Sequence, residues 1–274
     1  MNSTWLTKTF NIKYPIIMAP MFLISNKEML IEAAKSGIMG CIPALNYRTP
    51  EEFEVGMKEL KEVCPGPFGV NLIANKSNIH LEGHIKVLEK YPVAFVITSL
   101  GSPEEIIKRL KPHGTKVFCD VVDTEYAIKV EKLGADAVIA VNSGAGGHAG
   151  NIPASILVPM LQEAVKIPVI SAGGIGTGRG LLSVMALGVA GVSIGSPFIA
   201  TTEAPISKEY KEACVNYGAK DIVMSNKISG TPCSVILTPF VKQIGTDQNV
   251  VESLLSKNKN LKKYVKMLTY YKGM

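Results

Sequence analysis

Residues 137–150 read AVIAVNSGAGGHAG, and this stretch decides the fold class of the chain. Its first five residues form a continuous apolar run, which is typical of a strand buried on both faces of a parallel sheet. Four glycines follow and surround one titratable side chain, His148, in a loop whose backbone can approach a flat ligand closely. A helical pattern begins near Pro153. The stretch therefore predicts a strand, a ligand-binding loop and a helix, although a flexible turn with a surface histidine stays open.

The same alternation of apolar runs and helical patterns extends over most of the chain. Helix starts are marked by Thr49 before Pro50 and again by Ser102 before Pro103, which are cap and first-turn residues. Parallel strands joined by right-handed helical crossovers, without a break in composition, predict a (β/α)8 TIM barrel over residues 1–202. Residues 203–274 are expected to form a C-terminal helical extension packed on the barrel. The eight predicted strands are Ile16–Ala19, Met39–Pro43, Phe68–Ala74, Ala94–Leu100, Lys116–Val122, Ala137–Ser143, Val169–Gly173 and Gly191–Gly195.

The composition excludes several classes of protein. The 274 residues are 47% hydrophobic and 19% charged, which favours a large core over disorder. The net charge of +6 is spread out, and its densest part, residues 257–272, has the spacing of a solvated helix face, so no nucleic-acid partner is expected. Five cysteines without C-x-x-C spacing predict reduced thiols in a cytoplasmic protein. No signal peptide is apparent and no apolar run reaches about 18 residues, so no membrane span is expected.

Barrel enzymes have their catalytic residues at the carboxyl ends of the strands. Polar residues at the ends of the predicted strands are therefore candidate site residues. The first strand ends at Ala19-Pro20-Met21, and the third carries Asn71. Ser99 and Asp120 lie at the ends of the fourth and fifth strands. For Asp120, direct contact with a ligand and support of a neighbouring residue are both open.

The residues at the ends of the last two predicted strands are suited to binding a phosphate group. Ser171 is followed by Gly173 and Gly174, and the eighth strand leads into Gly195 and Ser196. Barrels frequently bind phosphate at these two ends, where glycine lets backbone N–H groups approach the anion. Tight turns without a ligand are the alternative. Elsewhere, His80 and His84 have the spacing for a shared metal, but without a third ligand a surface helix face is favoured and no metal is expected.

Several of these segments resemble the nitronate monooxygenases. The resemblance rests on residues 14–21, YPIIMAPM, on the loop GAGGHAG at 144–150, and on the ends of the last two strands. It implies an FMN-dependent barrel in which His148 is the catalytic residue, Asn71 bonds the polar edge of the flavin, and the glycine ends hold the phosphate. Together with the strand-end rule, the candidate cofactor contacts are Ala19, Pro20, Met21, Asn71, Ser99, Asp120, Gly146, Gly147, Ser171, Gly173, Gly174, Gly195 and Ser196.

The resemblance implies oxidation of alkyl nitronates or nitroalkanes with dioxygen, in which the imidazole of His148 takes a proton from the substrate carbon. One alternative is a flavin-dependent enoyl-acyl-carrier-protein reductase, which shares the Gly-Gly-His loop and uses NAD(P)H on an acyl substrate. A flavin-binding protein without turnover is another. A barrel like inosine-monophosphate dehydrogenase needs a cysteine in the loop, and residues 142–150 contain none. The expected partners are a small-molecule substrate and dioxygen, with a homodimer left open.

Overall fold

The barrel that the sequence predicts is present in the computed structural model, which describes residues 3–75, 77–227 and 232–248. Eight parallel strands close into a ring in which the first strand pairs with both the second and the last. The seventh strand in chain order, β7 (Gly147–His148), is not part of this ring. The barrel strands are β1 (Ile16–Met18), β2 (Met39–Pro43), β3 (Phe68–Ile73), β4 (Phe95–Ser99), β5 (Lys116–Val121), β6 (Ala137–Val141), β8 (Val169–Ala172) and β9 (Gly191–Ile194).

Helices follow the strands, and the predicted cap is present at Thr49, whereas α5 (Glu104–Leu110) begins one residue later than predicted, with Pro103 instead of Ser102 as its N-cap. The Thr49 hydroxyl accepts a hydrogen bond from the Glu52 N–H at 3.2 Å, and the Ser102 hydroxyl accepts one from Glu104 at 3.4 Å. These bonds satisfy N–H groups that a helix start leaves without an internal partner. The helices of this part of the chain are α1 (Trp5–Phe10), α2 (Lys27–Lys35), α3 (Pro50–Val63), α4 (Leu81–Lys90), α5 (Glu104–Leu110), α6 (Thr124–Lys132), α7 (Ala154–Ala164), α8 (Gly178–Met185) and α9 (Ser196–Ile199).

The interior of the barrel is a packed apolar layer. Phe95 and Phe118 stack with ring centroids 5.1 Å apart, and a Cβ added to Gly69 would lie 2.4 Å from the Phe95 ring, so only glycine fits there. Helix α1 packs against this layer through Trp5 and Phe10, whose rings contact those of the two stacked phenylalanines. Because the interior is filled, a ligand has room only at the ends of the strands.

The chain divides into two compact units, residues 1–144 with 150–206, and residues 145–149 with 207–274. The described part of the second unit contains helices α10 (Lys208–Asn216) and α11 (Pro239–Ile244). It also contains an antiparallel sheet of β10 (Ile222–Ser225), β11 (Cys233–Ile236) and β7 (Gly147–His148).

The prediction of a helical extension is therefore wrong at β10 and β11, which are strands. These runs are only four residues long and contain the β-branched residues Ile222, Val223 and Val235, which suit a pleated surface better than a short helix. The predicted boundary after residue 202 lies four residues before the one observed, and residues 145–149 group with the second unit because β7 pairs with β11. The basic stretch 257–272 lies outside the described residues.

Two further features concern the cysteines and the helices. All five cysteines are free thiols, and Cys41 and Cys119 are fully buried, as their apolar surroundings in the sequence predict. Among the residues that the structure describes, no helix is both long enough and apolar enough to cross a membrane.

His84 corrects the expectation of a surface histidine pair. Its side chain is 0% exposed, its ring meets Phe53 edge-on at 4.9 Å, and neither ring nitrogen has a hydrogen-bond partner within the described chain. Burial, with a smaller effect of His80, lowers the pKa of His84 to about 4. The expectation failed because the packing of α4 against α3 turns this position inward. In the described ranges, no group of three or more His, Cys, Asp or Glu residues could hold a metal ion.

The buried His84 predicts a loss of stability in mild acid. Its pKa is lower in the folded state than in the unfolded chain, so its contribution is complete above pH 6.5 and is lost as the pH falls towards 4. The full loss is about 3 kcal/mol. The free energy of unfolding in urea, measured between pH 4.5 and 7.5, should fall less in acid for His84→Leu than for the wild type. His113→Leu, which changes an exposed histidine, should show the same fall as the wild type. An unchanged acid sensitivity of His84→Leu would contradict the prediction.

Candidate active site

A layer of polar side chains covers the apolar interior at the carboxyl ends of three adjacent strands. Asn71, Ser99 and Asp120 each follow an interior position by two residues and therefore point into the barrel. The Asn71 side-chain nitrogen Nδ2 donates to Ser99 Oγ at 3.0 Å, and Ser99 Oγ donates to Asp120 Oδ2 at 2.5 Å. The structure thus brings together three predicted site residues in one continuous chain of hydrogen bonds.

Asp120 is the acidic member of this polar layer. Burial raises its pKa to about 6, and the hydrogen bond from Ser99 opposes that shift. Within the described residues, no lysine, arginine or histidine lies within ion-pair distance of its carboxylate. The side chain can therefore change its charge close to neutral pH, which is unusual for an aspartate.

The loop after β1 is held in one shape by polar contacts. The Ala19 N–H donates to the Ile194 carbonyl at 2.7 Å, which joins the ends of β1 and β9. The hydroxyl of Ser25, a buried residue, accepts from the Met21 N–H at 2.9 Å, and Asn46 Oδ1 accepts from the Leu23 N–H at 2.8 Å. The sequence prediction missed Ser25 and Asn46, although a serine and an asparagine shortly after strand ends are typical of such loop contacts.

Two loops meet at the ends of β6 and β8 with a separation that only glycine allows. The Gly174 N–H donates to the Gly144 carbonyl at 2.8 Å, and a Cβ added to Gly144 would lie 2.9 Å from the Gly174 backbone. Gly173 and Gly174 have φ values of 111° and 73°, in the region that side chains disfavour. At Gly173 and Gly174, which the sequence predicted as site residues, the backbone conformation disfavours any residue with a side chain.

Asn142 connects the same two loops and was not predicted from the sequence. It is 2% exposed, its Nδ2 donates to the Gly173 carbonyl at 3.2 Å, and its Oδ1 accepts from the Gly144 N–H at 2.8 Å. Its position directly after β6, two residues before a glycine, is a signal for a side chain that caps a turn. Asn142 therefore ties the loop after β6 to the loop after β8.

At the end of β9, Gly195 leads into α9, which begins at Ser196. A Cβ on Gly195 would meet Met21 Sδ at 3.6 Å and Ala19 Cβ at 3.7 Å, so the predicted contacts at the ends of β1 and β9 are neighbours. Ser171 differs from the other candidates. Its neighbours in sequence, Ile170 and Ala172, belong to the interior layer, so its fully buried hydroxyl points outward from the barrel and away from a ligand at the strand ends.

The remaining candidates, Gly146, Gly147 and His148, belong to the second unit. All three are exposed, and Gly147 has a φ of 70°. In the antiparallel sheet His148 lies opposite Cys233, and Gly147 lies opposite Ser234. Pairing with β11 therefore holds the backbone of His148. A loop made only of glycine and other small residues would not hold it in this way.

The barrel end fits the FMN that the sequence resemblance implies. Hydrogen-bonding side chains from three strands suit the polar edge of a flavin, and the packed layer beneath them gives a flat ring a floor. The left-handed glycines after β8 and the small residue Gly195 leave backbone space for a phosphate.

Comparison with known proteins places this arrangement in a family. A family model described as nitronate monooxygenase matches residues 3–81 and 75–269. The (3aS,4S,5R,7aS)-5-hydroxy-7a-methyl-1-oxo-octahydro-1H-indene-4-carboxyl-CoA dehydrogenase of Rhodococcus jostii is 30% identical over 264 residues, which cover 96% of this chain and 74% of that protein.

Two solved structures are similar over most of the chain. FabK from Thermotoga maritima has 31% identity and a TM-score of 0.83, over 96% of this chain and 81% of that protein. A nitroalkane oxidase from Streptomyces ansochromogenes has 27% identity and a TM-score of 0.79, over 88% and 81% of the two chains. Since the family match spans nearly the whole sequence, the chain belongs to the nitronate monooxygenase family and is an FMN-dependent oxidoreductase.

Proposed function

We propose that this enzyme oxidises alkyl nitronates or nitroalkanes with dioxygen and that His148 is its catalytic residue. The observation that carries the proposal is the joint presence of the family's Gly-Gly-His loop and a polar layer above a packed barrel floor. Similarity to a nitroalkane oxidase supports the same substrate class.

The proposed chemistry requires a base and an apolar wall. The neutral imidazole of His148 removes the proton from the carbon that bears the nitro group, and the imidazolium then stabilises the anionic nitronate. Leu23 and Leu100 support an apolar substrate. Both are about half exposed at the carboxyl ends of barrel strands, and both have left-handed φ values, 59° and 58°, which are costly for leucine and recur at functional sites.

The FMN contacts are part of the proposal. Ala19, Pro20 and Met21 lie along the ring, and Asn71 bonds its polar edge. Gly173, Gly174, Gly195 and Ser196 would hold the phosphate, and Gly146 and Gly147 are further candidate contacts of the cofactor. When bound, FMN supplies the redox chemistry by accepting electrons from the substrate and passing them to dioxygen.

A second candidate is NAD(P)H-dependent reduction of an unsaturated acyl thioester. The relative from Rhodococcus jostii, which is named as a carboxyl-CoA dehydrogenase and matches 96% of this chain, supports a CoA-thioester substrate but not the direction of the reaction. In this reaction His148 would donate a proton to the acyl group instead of removing one. The two candidates therefore use the same residue with opposite directions of proton transfer.

Anaerobic mixing of the FMN-loaded protein with propyl-2-nitronate or with NADH and NADPH distinguishes the candidates. Loss of the oxidised flavin absorbance near 450 nm with the nitronate, and its return on admission of oxygen, is the expected result. Bleaching by NADH or NADPH but not by the nitronate would overturn the first candidate in favour of the second. A flavin that responds to neither reagent would overturn both and indicate a flavin-binding protein without turnover.

A further inference from the structure

We propose that the carboxylate of Asp120 lowers the reduction potential of the bound flavin by placing an uncompensated negative charge beside the polar edge of its ring. The inference rests on the FMN dependence of the family and on the position proposed above for that edge, at Asn71. It applies to either candidate substrate, because it concerns the cofactor before any substrate binds.

Asp120 lies at the end of the barrel where the flavin is proposed to bind. It follows the interior residue Phe118 by two positions, so its side chain points into the barrel. Ser99 Oγ donates to Asp120 Oδ2 at 2.5 Å and accepts from Asn71 Nδ2 at 3.0 Å. The carboxylate is therefore two hydrogen bonds away from the amide proposed to contact the flavin. Asn71 Nδ2 also donates to the Ile97 carbonyl at 3.0 Å, which holds the amide in place whatever the charge of Asp120.

The surroundings of this carboxylate do not compensate its charge. In the described barrel unit, no lysine, arginine or histidine lies within ion-pair distance of Asp120. The layer below it in the barrel is apolar and includes the fully buried side chains of Ile97 and Phe118. Because such a layer excludes water and mobile ions, the field of the carboxylate is weakened much less than that of a surface charge.

Reduction changes the charge of the flavin next to this carboxylate. When the oxidised ring system takes up two electrons and one proton, it gains one negative charge, mainly in the pyrimidine ring that carries the polar edge. A fixed negative charge beside that edge repels the added charge and favours the oxidised form. At an effective dielectric constant of about 20, a unit charge within roughly 10 Å changes such an equilibrium more than tenfold. The reduced flavin is thereby a stronger reductant towards dioxygen.

Other titratable groups around Asp120 keep their charge between pH 5 and 8. Its electrostatic neighbours are Cys41 on β2, Cys119 on β5 and Tyr126 on α6, and the adjacent strands β4 and β6 carry no titratable side chain. Burial raises the pKa of each neighbour above its usual value, and that of Cys119 to about 12. The three neighbours therefore stay neutral, whereas Asp120, whose pKa burial raises to about 6, loses its charge in acid.

The reduction potential of the bound FMN tests the inference without any substrate. The FMN-loaded protein is reduced slowly by xanthine and xanthine oxidase together with a dye of known potential, and absorbance at pH 8 gives the equilibrium between the two. Asp120→Asn keeps an acceptor for the Ser99 hydroxyl and removes the charge. The equilibrium constant for reduction should therefore rise at least about tenfold, which is about 30 mV for a two-electron couple. Asp120→Ser, a second neutral variant with an acceptor, should shift the potential in the same direction and decides the outcome if Asp120→Asn does not retain FMN.

Two controls separate the charge from a change in structure. Asp123→Asn removes an exposed charge shortly after β5 and keeps a capping side chain for α6. Because water and salt screen an exposed charge, its equilibrium constant for reduction should stay within threefold of the wild-type value. The difference between the wild type and Asp120→Asn should also fall below threefold as the pH decreases from 8 to 5, since Asp120 then takes up a proton.

An unchanged or lower potential in Asp120→Asn at pH 8 would overturn the proposal, also if FMN binding is weaker. A difference that persists undiminished at pH 5 would overturn it as well, since a structural change and not the charge would then be the cause. Failure of the nitronate reaction would not affect any of these measurements, so the two hypotheses are tested separately.

Discussion

Replacing His148 by glutamine is expected to lower the turnover of a neutral nitroalkane by about 10²–10⁴-fold while FMN stays bound. Glutamine keeps a hydrogen-bonding side chain of similar length but cannot take a proton. A preformed nitronate has already lost that proton, so its oxidation should be reduced much less. Oxygen consumption with nitroethane and with ethyl nitronate, measured on the same preparations, checks both parts of the expectation.

The controls for this variant address cofactor content and folding. His148→Gln should show the same flavin absorbance per protein as the wild type, because His148 is proposed to act on the substrate and its backbone is held by pairing with Cys233. His113→Gln, at an exposed position, should keep full activity. Equal losses on the nitroalkane and the nitronate would contradict a role as base, and unchanged rates on both would remove His148 from the catalytic step.

Replacing Gly144 by alanine is expected to weaken FMN binding at least about tenfold and to destabilise the barrel by about 1–3 kcal/mol. The added Cβ would lie 2.9 Å from the Gly174 backbone and 3.1 Å from Asn142 Oδ1, and neither backbone nor a buried amide can move cheaply. The glycine pair after β8 would therefore shift away from the position proposed for the phosphate. FMN titration of the apo-protein and urea unfolding measure the two effects.

Gly218→Ala is the matched control for Gly144→Ala. Its added Cβ meets only Asp221 Oδ2, at 4.0 Å, within the described chain, so both FMN affinity and stability should stay close to those of the wild type. Wild-type affinity in Gly144→Ala would show that the close contact between the two loops is not needed for the cofactor.

The barrel and much of its polar end could be predicted because both depend on local patterns. Continuous apolar runs predict buried parallel strands, and the observed strands agree with all eight predictions to within two residues at either end. Asn71, Ser99 and Asp120 were found from their places at strand ends, since parallel strands in a barrel direct their carboxyl ends to one side. The hydrogen bonds that join them depend on the register of β3, β4 and β5.

Other features depend on which face of an element packs against a neighbour. Ser171 belongs to the predicted site segment but points outward, because a shift of one residue along a strand reverses the side of the sheet. His84 has the spacing of a surface face, yet its packing beside Phe53 buries it. Neither outcome is visible in composition or spacing, because each is set by contacts between elements far apart in the chain.

The sequence by itself determined the barrel, the glycine-rich strand ends and the histidine loop. Each of these features follows from residue types that lie a few positions apart in the chain. Only the tertiary structure decided that the His148 segment pairs with a strand 85 residues further on, at Cys233, and that Asn142 joins the loops after β6 and β8. It also decided that three side chains from separate strands form one directed chain of hydrogen bonds. Such contacts join residues distant in sequence, and their geometry follows from strand register and close packing, which no local pattern specifies.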